Sequence, residues 1–131
     1  MKTYIVEDSP IILDNLVAAL QELTSAEVVG SAADEATAKA WLSQNKCDLL
    51  VIDIFLKAGS GLGVLAMAAD ADLPGKRVVL TNYASADMRR RCKELGAHKV
   101  FDKSSEVEEL IAYCARVANG DGDTVAGDLL G

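Results

Sequence analysis

Asp48-Leu-Leu-Val-Ile-Asp53 is the stretch from which the fold of this chain can be predicted. The four apolar residues 49–52 stand between two acids, a run too short to cross a membrane and typical of a strand buried on both faces. An unpaired carboxylate is costly inside such a strand, so Asp53 is expected at its carboxyl end. In open α/β sheets, ligands bind at that end of the strands. The loop 57–63 follows with three glycines and can pass close to a bound group.

Apolar runs and helical periodicities alternate along the rest of the chain. The predicted strands span 4–6, 27–32, 49–53, 77–81 and 99–102. The first helix is predicted after Ser9-Pro10, since serine caps helices and proline fits their first position. The later helices are predicted at 35–45, 60–70 and 86–95, with a last one that starts at the capping box Ser105-x-x-Glu108. This alternation predicts an α/β fold, a doubly wound parallel sheet of five strands with helices on both faces.

The composition is that of one globular domain with an acidic balance. The chain has 131 residues, is 50% hydrophobic and carries a formal net charge of −7. Such a charge argues against non-specific binding to nucleic acids or to anionic membranes. No apolar run approaches the length of a membrane span, and acids appear too early for a secretory signal. The three cysteines form no CxxC pair and indicate reduced thiols, so we expect a cytoplasmic protein.

Chemically active side chains stand at the ends of most predicted strands. They are Glu7 and Asp8 after strand one, Asp53 after strand three, Thr81 after strand four and Lys103 after strand five. If the strand order is 2-1-3-4-5, which is the order of flavodoxin, the acids share one crevice at the switch point of the sheet. Carboxylates at such short distances repel one another unless a cation neutralises them. Oxygen ligands without cysteine or histidine favour a hard cation, and Mg²⁺ is the best candidate.

Asp53 is the predicted nucleophile of this crevice, because it is the acid that a glycine-bearing loop follows. A carboxylate beside Mg²⁺ can attack phosphorus and form an aspartyl phosphate. Mg²⁺, the Thr81 hydroxyl and the Lys103 ammonium would then each take one oxygen of the phosphoryl group. Asp8 would be a direct metal ligand, and Glu7 a ligand through water.

Several motifs, in order along the chain, resemble the receiver domain of two-component response regulators. They are Ile5-Val-Glu-Asp8, Leu50-Val-Ile-Asp-Ile54 with Gly61 beyond it, Val79-Leu-Thr81, and Gly96-Ala97 leading to Phe101-Asp-Lys103. The resemblance implies a flavodoxin-like fold. It also implies that residues 1–119 form the receiver domain, stand-alone or isolated, and that residues 120–131 form a C-terminal tail or a truncated linker.

The resemblance further implies a function for the crevice. Asp53 would accept a phosphoryl group from a phosphohistidine on a sensor histidine kinase or a histidine phosphotransfer protein. Mg²⁺ would be bound by Asp8, Asp53 and the backbone carbonyl of Phe55. Thr81 would move toward the phosphoryl group and reshape the surface of the fourth helix, fifth strand and fifth helix for a downstream protein partner. The only enzymatic activities expected are self-directed phosphotransfer and autodephosphorylation.

Three positions depart from the family pattern. Ser104 follows the lysine where the family usually has proline, often with a cis bond. Val100 stands where the family has its switch aromatic, with Phe101 beside it, so the coupling to the threonine is expected to weaken or to run through Tyr83. Asn82 follows Thr81 where a small residue is usual, and its side chain would narrow access to the phosphoryl group.

Other functions stay open on the sequence alone. A phosphorylation-independent adaptor with the same fold is favoured by the three departures. A phosphatase of the aspartyl-phosphate type would want a second acid two residues after the nucleophile, where Phe55 stands. A flavin-binding protein is disfavoured because an acidic crevice is a poor cradle for phosphate. The basic fourth helix, with Arg89-Arg-Arg91 and Lys93, suggests a homodimer through the fourth and fifth helices.

Overall fold

The computed structural model of this protein describes residues 1–120. The predicted tail or linker at 120–131 lies outside the described residues, apart from Gly120. Five strands and five helices alternate within the described part of the chain. They are β1 Lys2–Val6, α1 Pro10–Leu23, β2 Glu27–Ala32, α2 Glu35–Leu42, β3 Leu49–Ile52, α3 Gly61–Asp70, β4 Lys76–Thr81, α4 Ala86–Glu94, β5 Lys99–Asp102 and α5 Val107–Ala118.

The strands form one parallel sheet in the order β2-β1-β3-β4-β5, which confirms the predicted topology. Val6 at the end of β1 lies opposite Ile52 at the end of β3. The main-chain N–H of Asp53 donates to the carbonyl of Val6 at 2.9 Å. This register brings the residues that follow β1 and β3 out at the same edge of the sheet.

Both faces of the sheet are covered by apolar side chains, because successive residues of a strand point to opposite faces. Tyr4 and Val6 pack on the side of α2, α3 and α4, whereas Ile5 packs on the side of α1 and α5. Trp41 of α2 stacks on Tyr4 with ring centroids 4.0 Å apart. None of the helices in residues 1–120 combines the length and the apolar character that a membrane crossing requires.

Most predicted helix ends are confirmed. The Ser9 hydroxyl accepts the N–H of Ile12 at the start of α1, and Asp34 caps α2 through the N–H of Thr37. Gly96 follows α4 with a φ of 109°, a left-handed conformation that favours glycine at this position. The structure ends α2 at Leu42, three residues before the predicted boundary at 45.

The predicted capping box at the start of α5 is wrong. The helix begins at Val107, and Glu106 at its N-cap position makes no side-chain capping bond. The Glu106 carboxylate instead accepts the main-chain N–H of Asp102 at 2.9 Å and a guanidinium hydrogen bond from Arg89 at 2.6 Å. Ser104 is also engaged with Asp102, whose carboxylate accepts its N–H at 2.8 Å. These contacts between elements decide where α5 starts.

Candidate functional site

An acidic cluster forms where β1 and β3 end. Glu7, Asp8 and Asp53 each offer a carboxylate oxygen, and these atoms all lie within 4.8 Å of one another. Glu7 is 3% exposed and Asp53 is 6% exposed, while Asp8 is half-buried. The register of β1 against β3 therefore brings together the acids that the sequence analysis grouped in one crevice.

Lys103 reaches the same cluster from the end of β5. Its ammonium lies 2.7 Å from Glu7 Oε1 and 2.9 Å from Asp53 Oδ2. Burial by itself disfavours the charged ammonium, but the hydrogen bonds and negative charges of Glu7 and Asp53 outweigh it and raise the pKa of Lys103. Three formal negative charges and one positive charge leave the cluster at −2. A single divalent cation would balance that charge.

Main-chain N–H groups hold the carboxylates of the acidic cluster in place. The N–H of Ser9 donates to Glu7 Oε2 at 3.0 Å, and the N–H of Lys57 donates to Asp8 Oδ2 at 2.9 Å. The N–H of Phe55 approaches Asp53 Oδ1 at 3.4 Å. Because these donors belong to loops that the fold fixes, the oxygens are oriented in advance for a hard cation, which selects oxygen donors.

The acidic cluster opens into a cavity of about 200 Å³ at the carboxyl ends of the strands. Its lining residues are Glu7, Asp8, Ser9, Ile12, Asp53, Phe55, Asn82, Tyr83 and Lys103. The cavity therefore places Asn82, the large residue that follows Thr81, at the mouth.

Thr81 lies at this end of the sheet but does not line the cavity in the described part of the structure. The residue is fully buried, and its hydroxyl accepts the main-chain N–H of Tyr83 at 3.2 Å. Its main-chain carbonyl accepts the N–H of Lys103 at 2.9 Å. Within residues 1–120, Thr81 is the one predicted site residue that does not line the cavity.

Two exposed aromatic rings meet at the mouth of the cavity. Phe55 and Tyr83 have ring centroids 4.6 Å apart in an edge-to-face arrangement. Phe55 is 51% exposed and Tyr83 is 62% exposed. Both residues can be singled out in the sequence, but nothing in the sequence predicts the contact between their rings.

The glycines after Asp53 make room for groups of the protein itself. A methyl group at Gly61 would overlap the main-chain carbonyl of Asp53. Methyl groups at Gly59 and Gly63 would overlap the side chain of Glu35. These glycines thus admit Asp53 and α2 at close range, whereas the predicted approach of the loop to a bound group stays a prediction. The sequence analysis did not identify Glu35, because no local pattern links α2 to this loop.

The aromatic ring beside the expected switch position cannot replace the missing one. Val100 faces the layer of α4, while Phe101 packs in the opposite layer, where its ring lies 6.0 Å from that of Tyr113. The weakened coupling to Thr81 stays a prediction. Tyr83, whose N–H is bonded to the Thr81 hydroxyl, is the aromatic residue that stays connected to that threonine.

The basic residues of α4 are partly engaged within the molecule. The Arg89 guanidinium donates to the carbonyls of Ala84 and Val100 at 3.0 Å and 2.9 Å, and to Glu106. Arg90 pairs with Asp87 at 2.8 Å. Arg91 and Lys93 are exposed, and Lys93 lines a groove of about 750 Å³ that α4 and β5 share.

Known proteins resemble this chain along nearly its whole length. The model of the response regulator receiver domain family matches residues 3–115. The methanol utilization control regulatory protein MoxX of Paracoccus denitrificans is 26% identical over 124 residues, which covers 92% of this chain and 54% of MoxX. The chain spans about half the length of the curated relatives it matches.

Solved structures share the fold. The response regulatory domain of protein mrkE from Klebsiella pneumoniae superposes with a TM-score of 0.80 at 23% identity, covering 92% of this chain and 97% of that one. A response regulator protein from Burkholderia pseudomallei, solved with a phosphorylated aspartic acid, a calcium ion and citrate, superposes with a TM-score of 0.73 at 21% identity, covering 98% of this chain and 73% of that one. With the family model, the strand order and the acidic cluster in agreement, this chain belongs to the receiver domain family of two-component response regulators.

Proposed function

We propose that this domain is a phosphorylation-controlled switch whose phosphoryl acceptor is Asp53. The observation that carries the proposal is the setting of that carboxylate. Asp53 stands beside two other acids at the carboxyl ends of the strands, where the cavity opens. The Lys103 ammonium lies 2.9 Å from one oxygen of Asp53. A nucleophilic carboxylate with an ammonium beside it is suited to phosphoryl transfer, because fixed positive charge stabilises the phosphoryl oxygens.

Asp8, Asp53 and the backbone carbonyl of Phe55 would hold Mg²⁺, with Glu7 as a ligand through water. All are oxygen donors, and the formal charge of −2 on the cluster fits a divalent ion. The ion would supply positive charge for the oxygens of the transferred group. The calcium ion and phosphorylated aspartate of the Burkholderia pseudomallei relative belong to that protein and are consistent with this proposal.

The phosphoryl donor would be a phosphohistidine on a sensor histidine kinase or a histidine phosphotransfer protein. An oxygen of Asp53 forms the new P–O bond while the P–N bond of phosphohistidine breaks, and the electron pair of that bond returns to the imidazole nitrogen. Lys103 holds one oxygen of the group in transit. Attack by water on the phosphorus of the product later returns Asp53 and inorganic phosphate.

The output would pass from Thr81 to the surface formed by α4, β5 and α5. When the Thr81 hydroxyl turns to the phosphoryl group, the N–H of Tyr83 loses its acceptor at 3.2 Å. The loop that leads into α4 then changes, and a downstream protein partner binds the changed surface. We infer a cytoplasmic setting, which is supported by the three free, buried cysteines Cys47, Cys92 and Cys114.

The first test uses beryllofluoride with Mg²⁺, which mimics an aspartyl phosphate. Amide NMR shifts would be recorded for the wild type, for Asp53→Asn and for the exposed control Asp14→Asn. We expect large changes around Asp53, Thr81 and Lys103 in the wild type and in Asp14→Asn, and none in Asp53→Asn. A wild type that responds to Mg²⁺ but not to beryllofluoride would contradict the proposal.

The second candidate is a phosphorylation-independent adaptor with the same fold. Asn82 at the mouth of the cavity and the Phe55–Tyr83 ring contact favour it, because both restrict access to Asp53. A wild type that binds neither Mg²⁺ nor beryllofluoride, yet retains its fold, would support the adaptor over the switch.

We also propose that activation promotes a homodimer through α4 and α5. Exposed Arg91 and Lys93 on α4 and exposed Glu108 and Glu109 on α5 supply opposite charges for a two-fold contact. Sedimentation with and without beryllofluoride tests this idea, with Lys93→Glu as the disruptive variant and Lys46→Glu as the control. A monomer in every condition would contradict it.

A further inference from the structure

We propose that Glu35 is a positioning residue for the acidic cluster, acting from α2 through the site loop, which we define as residues 54–60. The proposal rests on the proposed Mg²⁺-dependent function. Glu35 touches none of the acids, and its influence would come from holding the main chain that carries Phe55.

Glu35 is bonded to the site loop by both its side chain and its main chain. Its Oε1 accepts the N–H of Ser60 at 2.8 Å, and its own N–H donates to the carbonyl of Ala58 at 3.2 Å. Its Oε2 lies 2.6 Å from the ammonium of Lys39, one turn along α2. The carboxylate is therefore held by a partner on each oxygen, and the loop is bonded to a helix that does not take part in the site.

The fit between Glu35 and the loop is steric as well as polar. Gly59, next to Ser60 in the site loop, and Gly63, in the first turn of α3, leave the space that the Glu35 side chain fills. Gly59 also has a φ of 79°, a conformation that other residues adopt at a cost. The site loop and the first turn of α3 are therefore shaped to admit the Glu35 side chain.

The site loop is fixed on its opposite side by the acidic cluster. The N–H of Lys57 donates to Asp8 at 2.9 Å, and Phe55 forms an isolated antiparallel bridge with Ser60. Phe55 is one partner of this bridge, and its N–H faces Asp53. The N–H of Gly61, next to Ser60, donates to the carbonyl of Ile54, next to Phe55, at 2.8 Å. Because this bond and the bridge tie the two strands of the loop together, holding Ser60 would also hold the main chain that carries the Phe55 carbonyl.

The surroundings of Glu35 favour its ionised form. The hydrogen bond from Lys39, followed by the one from the Ser60 main chain, holds the pKa of Glu35 below its ordinary value. The ionised form accepts two hydrogen bonds at once, so the link to the loop does not depend on a proton. Residues that orient ligands in this way typically contribute to metal affinity without contacting the ion.

The test compares Glu35→Ala, Glu35→Gln and the control Lys39→Ala, which removes the ion pair but leaves the bond to Ser60. Two quantities would be measured by NMR: hydrogen exchange of the Ser60 amide in metal-free protein, and the Kd for Mg²⁺. We expect Glu35→Ala to expose the Ser60 amide and to raise the Kd on the order of tenfold. Glu35→Gln, which keeps one acceptor oxygen, should retain most of the protection of the Ser60 amide and most of the affinity for Mg²⁺. Lys39→Ala should resemble the wild type in both measurements.

The outcomes separate the two proposals. A wild type that does not bind Mg²⁺ overturns the proposed function and this inference with it. A wild type that binds Mg²⁺ while Glu35→Ala binds equally well overturns only the positioning role. If Glu35→Ala does not fold, Glu35→Asp, whose shorter side chain withdraws the carboxylate from the Ser60 N–H, is measured in the same two ways, and an unchanged Kd for Mg²⁺ together with an exposed Ser60 amide overturns the positioning role. A Kd raised equally in Lys39→Ala would show that the ion pair on α2, and not the bond to the loop, is responsible.

Discussion

Lys103 is the residue on which the charge of the acidic cluster depends. Its side chain is 9% exposed, and it bridges two carboxylates that are as deeply buried. Removing one partner from a buried ion group leaves the remaining charges without compensation, which typically costs about 3–5 kcal/mol. The Lys103 ammonium therefore both supports the fold and prepares the site for its ligand.

We expect Lys103→Ala to lose about 3 kcal/mol of unfolding free energy in EDTA, because Glu7 and Asp53 then repel each other in a buried setting. Mg²⁺ should return part of this loss by supplying positive charge. Urea unfolding in EDTA and in Mg²⁺ measures both quantities, with the exposed Lys46→Ala as control. Equal losses in the two conditions would contradict this account of the charge balance.

Gly61 is the second residue whose identity the site requires. A methyl group there would meet the main-chain carbonyl of Asp53, which cannot move without shifting β3. We expect Gly61→Ala to cost about 3 kcal/mol, at the upper end for overpacking. Gly63→Ala, which meets only the end of the flexible Glu35 side chain, should cost less. Thermal unfolding of the two variants compares them, and an equal loss would show that the backbone contact is not decisive.

At the scale of elements, one ion pair joins the α4 layer to the start of α5. Arg89 on α4 donates to Glu106, and Glu106 also accepts the N–H of Asp102 at the end of β5. The hydrogen bond from Arg89, followed by the one from Asp102, lowers the pKa of Glu106 below its ordinary value of 4.5. A carboxyl group whose pKa is lower in the folded state stabilises that state above its unfolded pKa.

This linkage predicts a pH dependence. The contribution of Glu106 is fully present at pH 7 and is lost as the pH falls below about 4.5 and through the lowered pKa of the folded state. Glu106→Gln should therefore be less stable than the wild type at pH 7, with the difference shrinking on acidification. Urea unfolding at a series of pH values tests this, with the exposed Glu109→Gln as control. A difference that does not change with pH would rule out the titration of Glu106 as its cause.

Two loops of the site are coupled by the Phe55–Tyr83 contact. Edge-to-face pairs contribute roughly 0.5–1.5 kcal/mol beyond their buried area. A double-mutant cycle with Phe55→Ala and Tyr83→Ala should give a coupling energy in that range. Because the rings restrict the mouth of the cavity, Tyr83→Ala should also lose its phosphoryl group faster after labelling with a small phosphoryl donor. An unchanged rate of loss would mean that water reaches Asp53 by another route.

Contacts between strand ends could be predicted from the sequence, whereas contacts made by loops could not. The strand ends at Val6 and Ile52 follow from short apolar runs, and a parallel sheet then forces Glu7 and Asp53 together. The contacts of Glu35 with Ser60 and of Glu106 with Arg89 join residues far apart in sequence. They depend on loop conformations that no periodicity encodes, so neither contact could be predicted, and the capping motif at α5 was misread.

At the scale of the whole molecule, the faces of the sheet and the carboxyl ends of its strands act on stability in opposite directions. The apolar layers on its two faces fix the strand order, while the ends of β1, β3 and β5 gather charges that weaken the fold. A cation that binds the folded site but not the unfolded chain converts this weakness into a ligand-dependent gain in stability. The stability of the domain should therefore report on the occupancy of the acidic cluster.

We expect Mg²⁺ to stabilise the wild type by about 2.7 kcal/mol at a concentration 100 times its Kd. Asp53→Asn should lose most of this gain, because it removes a proposed ligand and lowers the charge of the cluster from −2 to −1. Asp14→Asn, which removes an exposed acid of α1, should keep it. Unfolding midpoints measured across a Mg²⁺ titration at constant ionic strength give the result. If Asp14→Asn and Asp53→Asn lose the gain equally, the effect comes from the net charge of −7 and not from a site at Asp53.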